Sequence, residues 1–196
     1  QDTCGVHAVA PVSALLVRTQ IASVLGDAGT DAIKIGMLAN APIVRAVAAA
    51  LARSTPARAV LDPVLRSTTG RTLLDETGQR ALIGRLLPLA DLMTPNLPEA
   101  EALLGQPIRG IAGMKAAARR LLELGPRAVL VKGGHRRGDA VDVFADARET
   151  LVLSAPRIAS VNTRGTGCVL STACACFLAQ NCTLPEAVQR AKEFVT

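Results

Sequence analysis

Short apolar runs ending in Gly, Pro, Asp or a lone cation alternate along this chain with helical patterns. The runs are residues 32–36, 58–63, 91–94 and 127–132. The helical patterns between and around them cover 11–25, 42–53, 73–87, 97–104 and 113–124. Strand runs apolar at nearly every position suit strands buried on both faces, and helix-length connections between them suit right-handed crossovers. The order therefore predicts the α/β class, with a mainly parallel central sheet between two helical layers. Residues 6–10 read as a short extended piece, 141–145 and 149–154 as a hairpin pair, and 167–179 and 184–195 as closing helices. No repeat or linker interrupts the run, so residues 1–196 are expected to form one domain. Aromatic residues are 2% of the chain, with no Trp or Tyr, so Ala, Leu and Val must fill the core.

In such sheets ligands bind beyond the carboxyl ends of the strands. That rule selects Gly36-Met37, Asp62-Pro63-Val64, Thr94-Pro95-Asn96, Lys132-Gly133-Gly134 and the loop Gly165-Thr166-Gly167-Cys168. The last lies in Asn162-Thr163-Arg164-Gly165-Thr166-Gly167-Cys168, between an extended run and an apolar helix. A helix start of this kind points free N–H groups at an anion, its glycines admit a phosphate, and Thr166 adds a hydroxyl. Cys168 in the first turn would feel the helix dipole and nearby cations, which lower a thiol pKa into the neutral range. Carboxylate, amide, ammonium and a Gly-rich cradle together are what phosphoryl transfer requires. Each also has a plainer role. The Gly loop could merely start a buried helix, and Cys168 could fill its first turn. Asp62 could cap a turn, and Lys132 could be a surface lysine. Asn96 and Glu99, three apart at a helix start, could form a capping box rather than hold Mg²⁺ through water.

Composition narrows the partners. The net charge is +6 and the pI about 9.5, yet Arg119-Arg120 and Arg136-Arg137 are the only adjacent basic pairs. Without a basic block or aromatic platforms, nucleic acid is not an expected partner, and phosphorylated small molecules are an equally good use of the charge. The five cysteines, Cys4, Cys168, Cys174, Cys176 and Cys182, show no metal-site spacing, and His7 and His135 stand alone. No apolar run of membrane-spanning length and no signal peptide occurs, so a cytoplasmic setting without membrane contact is expected. Neither a P-loop nor a GxGxxG after the first strand is present.

The blocks AIKIGMLAN, AVLDPV, TPNLPEAEALLG, AVLVKGGHRRGDAVDVF and NTRGTGC, in this order, closely resemble the hydroxymethylpyrimidine/phosphomethylpyrimidine kinases of the ribokinase-like superfamily. The resemblance covers essentially the whole chain. It implies a three-layer α/β/α ribokinase-like fold and MgATP-dependent phosphorylation of 4-amino-5-hydroxymethyl-2-methylpyrimidine and then of its monophosphate. By this resemblance Gln1, Met37 and Val64 contact the pyrimidine. Gly165, Thr166 and Gly167 form the anion hole, and Cys168 stands at the position of the base. Lys132, with Thr163 and Arg164, serves the nucleotide phosphates, while Asp62, Asn96 and Glu99 serve Mg²⁺. A homodimer acting on a small pyrimidine and ATP is the expected assembly.

Both ends and two internal positions depart from the family. Its first βαβ unit and its last segment are absent, so the chain reads as a core. Arg164 replaces the usual histidine, and LRSTTG replaces a lysine-containing loop. The alternatives are a pyridoxal kinase of the same superfamily and a non-catalytic module that only binds a pyrimidine or nucleotide.

Overall fold

The computed structural model describes residues 6–53, 58–67, 69–134, 139–157 and 165–196. Six strands form one sheet in chain order: β1 (Ala32–Ile35), β2 (Arg58–Leu61), β3 (Leu92–Met93), β4 (Ala128–Lys132), β5 (Ala140–Asp146) and β6 (Thr150–Ala155). The first four are parallel, and β5 and β6 run antiparallel. When parallel strands follow one another in chain order, right-handed crossovers all fall on the same face. That face carries α2 (Ala41–Leu51), α3 (Glu76–Ala81), α4 (Leu97–Leu104) and α5 (Gly110–Leu122). The opposite face is covered by the helices that follow the hairpin, α6 (Thr166–Ala179) and α7 (Leu184–Val195). The three-layer α/β/α arrangement expected from the sequence is therefore present.

The two-residue period of a strand sorts its side chains between the layers. Leu61, Met93, Val129 and Val131 pack with Val44, Val47, Leu86, Met114 and Leu121 in one cluster. Val60, Leu92, Leu130 and Phe144 pack with Leu170, Cys174, Leu178 and Val188 in the other. Burying each such side chain contributes about 1.5–3 kcal/mol. Towards the carboxyl ends of the strands, the α6–α7 face turns polar. Two residues after Ala32, Val60, Leu92 and Leu130 come Lys34, Asp62, Thr94 and Lys132.

Several expectations shift in detail. The first helix, α1 (Ala14–Asp27), starts after Ser13, whose hydroxyl accepts the Leu16 N–H, rather than at Pro11. Residues 6–10 form no strand; the Val6 and His7 carbonyls instead accept from the Arg71 guanidinium. The single helix expected over 73–87 is three pieces. Asp75 caps α3 by accepting the Gly78 N–H, and a π turn Leu82–Leu86 and a 3₁₀ turn Leu87–Leu89 follow. Pro88 lacks the N–H that an α-helix would offer Gly84, so the helix unwinds as it approaches the proline.

A buried ion pair fixes the end of β4. Lys192 of α7 donates to Asp142 Oδ2 at 2.8 Å and to the Ala140 carbonyl. Asp142 Oδ1 in turn accepts the Gly133 N–H at 2.9 Å. A Cβ on Gly133 would collide with the Val141 carbonyl, so only glycine lets these two backbones approach. The chain leaving Lys132 is thus held from two sides.

Candidate active site

Asp62 is the centre of the polar end of the sheet. It is 2% exposed, accepts hydrogen bonds from three side chains and pairs by charge with a fourth. Its Oδ1 takes Lys132 Nζ at 2.7 Å and Thr94 Oγ1 at 3.4 Å. Its Oδ2 takes Ser171 Oγ at 3.3 Å and faces Lys34 Nζ at 3.8 Å. The Cys168 thiol lies close enough to feel the carboxylate's charge. One buried carboxylate between two ammoniums leaves a surplus positive charge where dielectric screening is weak. Removing Asp62 would strand Lys132 without a counter-charge, the costly way to break a buried pair.

α6 begins above this cluster. Gly165 caps it with φ 78°, a left-handed conformation that suits glycine, and its carbonyl accepts the Val169 N–H. Thr166, Gly167 and Cys168 make the first turn. A Cβ on Gly167 would lie 3.1 Å from Lys132 Nζ, so the helix amides and the ammonium face the same small space. Ser171, fully buried, shares its hydroxyl between Asp62 and the Cys168 carbonyl at 2.9 Å, which ties the helix turn to the carboxylate. On the kinase resemblance, Gly167→Ala is expected to slow phosphoryl transfer more than it weakens pyrimidine binding, because the methyl crowds both the cradle and Lys132. Calorimetry and ADP release on one preparation check this. Lost pyrimidine affinity with intact turnover would contradict it.

Cys168 corrects an expectation. Burial comes first and the neighbouring Asp62 carboxylate second, and together they push its thiol above the ordinary value; Lys34 and Lys132 oppose them. The sequence reading weighed the helix dipole and cations but not the charge of a neighbouring carboxylate. The resting side chain is a thiol at neutral pH, not a thiolate.

Asn96 and Glu99 form the capping box of α4. Asn96 Oδ1 accepts the Glu99 N–H at 2.9 Å, and Glu99 Oε2 accepts the Asn96 N–H at 2.7 Å. Glu99 is nevertheless buried, and burial raises its carboxyl to about 7 against the opposing charge of Lys132. Asn96 also bridges to Lys132 across the sheet, whose N–H donates to the Pro95 carbonyl. Of the three residues expected at Mg²⁺, Asp62 is committed to lysines, while Asn96 and Glu99 stand together on the neighbouring loop. Among the described residues, no three His, Cys, Asp or Glu side chains cluster as a ready-made metal site.

Met37 is exposed just after β1, and Val64 is half-buried just after β2. Gln1, Thr163 and Arg164 lie outside the described residues. Sequence reasoning missed Lys34 and Ser171. Their signals were a cation between Ile33 and Ile35 in an apolar strand, and a hydroxyl inside an apolar helix.

Known proteins resemble this chain along its whole length. The family model described as phosphomethylpyrimidine kinase matches residues 1–196. The chain is 43% identical over 196 residues to a hydroxymethylpyrimidine/phosphomethylpyrimidine kinase of Streptomyces coelicolor, covering 100% of itself and 72% of that protein. It is 43% identical over 197 residues to a bifunctional thiamine biosynthesis protein of Geobacter sulfurreducens; there it spans all of itself but 40% of the relative. The crystal structure of a Clostridium difficile phosphomethylpyrimidine kinase superposes with a TM-score of 0.86 at 35% identity, over 100% of this chain and 80% of that one. A Bacillus subtilis pyridoxal kinase solved as an ADP complex gives 0.87 at 33% identity, over 95% and 70%. No helix among the described residues is long and apolar enough to cross a membrane.

Proposed function

The chain belongs to the phosphomethylpyrimidine kinase family, and we propose that it moves the γ-phosphoryl group of ATP onto 4-amino-5-hydroxymethyl-2-methylpyrimidine and then onto its monophosphate. One observation carries this reading: Lys132, Lys34 and the first turn of α6 converge on a single buried carboxylate at the carboxyl ends of the parallel strands. Phosphoryl transfer demands positioning and charge neutralisation more than covalent chemistry. The backbone N–H groups of Gly165, Thr166 and Gly167 would bind the transferring oxygens, and Lys132 would sit beneath them. Lys132, held by Asp62 on one side, has donors left for a phosphate on the other. In our reading Thr163 and Arg164 serve the nucleotide, and Gln1, Met37 and Val64 hold the pyrimidine so that its hydroxyl faces Cys168.

Mg²⁺ fits Glu99 and Asn96 better than it fits Asp62. Glu99 is a buried carboxylate whose ionised form is disfavoured, so an arriving divalent cation would supply the missing charge. Mg²⁺ retains most of its waters and takes one or two carboxylates plus substrate phosphates, so these residues would hold it through water. Bound there, it would neutralise charge developing between the β- and γ-phosphates.

A second reading has support of its own. The Bacillus subtilis pyridoxal kinase superposes as well as the pyrimidine kinase does, with TM-scores of 0.87 and 0.86. The two substrates differ in pocket shape, not in phosphate machinery. ADP release with the hydroxymethylpyrimidine, its monophosphate and pyridoxal side by side separates them. Turnover of both pyrimidines well above pyridoxal is expected. A preference for pyridoxal would replace the reading, and binding without ADP release would leave a sensor module in its place.

A further inference from the structure

We infer, on the strength of that pyrimidine reading, that Lys34 receives the phosphate of the monophosphorylated pyrimidine in the second transfer and so equips one site for two acceptors. The two transfers pose different electrostatic problems. In the first, a neutral alcohol attacks the γ-phosphorus; its O–H proton must leave as the new P–O bond forms and the bridging oxygen departs with ADP. In the second, a phosphate monoester attacks. Near neutral pH it carries about −1.5 to −2 charge, so its dianion has no proton to lose. An oxygen of that dianion bonds the γ-phosphorus, and the bridging oxygen again departs with ADP. The second acceptor needs no base but brings an anion against an anion, and it requires a cation on the acceptor side.

Lys132 is already engaged, its ammonium paired with Asp62 at 2.7 Å and its remaining donors assigned to the transferring phosphoryl group. Lys34 stands differently. Its ammonium is 3.8 Å from Asp62 Oδ2, beyond a direct hydrogen bond, and its side chain is 22% exposed. It rises from β1 on the α6 side, beneath the loop that carries Met37. Gly36 makes the room, because a Cβ there would lie 2.7 Å from Lys34 Nζ. The ammonium is also close enough to Cys168 to act on the thiol by charge, which puts it beside the point where the acceptor oxygen must arrive. Asp62 thus divides two cations, one held down for the ATP phosphates and one loosely tethered for the acceptor.

Steady-state kinetics of Lys34→Met and Lys34→Arg with each acceptor test this, with thermal melts to confirm folding. The quantity read is the ratio of kcat/KM for the monophosphate to that for the alcohol. A charge-assisted hydrogen bond to phosphate lost from one reaction only should lower that ratio roughly 10- to 100-fold in Lys34→Met. Lys34→Arg, which keeps the charge, should recover part of it. Cys168→Ser should move the ratio the opposite way, since only the alcohol surrenders a proton. Equal losses on both acceptors would show that Lys34 acts through Asp62 on the shared γ-phosphate, and an unchanged ratio would also overturn the assignment. If the unsubstituted protein releases ADP with pyridoxal but with neither pyrimidine, the underlying pyrimidine reading is what has failed.

Discussion

Glu99→Gln is expected to lower turnover at limiting Mg²⁺ roughly 10- to 100-fold, the usual cost of losing an outer-sphere partner, while making the fold more stable above pH 7. The two effects share one cause, a carboxylate buried where its charge is unwelcome until a cation arrives. In the folded protein the Glu99 carboxyl titrates at about 7, against an ordinary value of 4.5. Below pH 4.5 the group is protonated in both states and contributes no pH dependence. Between 4.5 and 7 the unfolded chain releases the proton and the folded chain keeps it, so stability falls as pH rises. Above 7 the loss levels off at roughly 3 kcal/mol for a shift of this size. Glutamine cannot ionise, and its side-chain oxygen can still accept the Asn96 N–H. The variant's stability should therefore lack this fall. Urea midpoints at pH 5 and pH 8, for both proteins without Mg²⁺, measure it. Parallel pH dependences would show that Glu99 is not the group responsible. Turnover unchanged at limiting Mg²⁺ would remove it from the metal's shell.

The alternation of short apolar runs with helices was enough to specify the layers, because fully buried parallel strands leave no other pattern. Helices α4 and α7 match their expected spans, each carrying Pro inside the first turn and a capping box that marks its start. The third helix was less legible. Its apolar spacing continues through Leu86, and only the missing N–H of Pro88, felt from beyond that point, forces the π and 3₁₀ turns. The rule about strand ends selected Asp62, Lys132 and the α6 turn, which the fold does bring together, since it depends on chain direction alone. What each residue touches was not legible. Asp62 read as a metal ligand because the lysine it holds lies 70 residues away in sequence. Lys34 was passed over as part of a strand, although its parity places it on the α6 face with Asp62. Ser171 had no local signal beyond being a hydroxyl at a helical position that packing buries completely.

Cys168→Ser is expected to slow phosphorylation of the alcohol by roughly 10²–10⁴, the range for loss of a general base. The structure changes how that base must operate. The thiol is held above its ordinary value by burial and by Asp62, so at neutral pH only a small fraction is thiolate. A base of this kind becomes more available as pH rises, and kcat/KM for the alcohol should climb by up to tenfold per unit until the thiol titrates. Asp62 beside it is bound by Lys132, Thr94 and Ser171 and faces Lys34. Asp62 therefore keeps the sulfur protonated at rest, and Lys34 and Lys132 are the groups that favour the thiolate as the acceptor oxygen approaches. Iodoacetamide should react slowly at pH 7 and markedly faster towards pH 9, with bound pyrimidine protecting the sulfur. Cys168→Asp should recover only part of the lost rate. It supplies a carboxylate base, but it sets a second negative charge beside Asp62, which Lys34 and Lys132 must then share. Alkylation rates against pH, taken alongside pH–rate profiles of the Ser variant, separate the possibilities. A Ser variant with near-normal turnover, or a flat profile in the unsubstituted protein, would leave charge neutralisation and positioning as the whole of the catalysis.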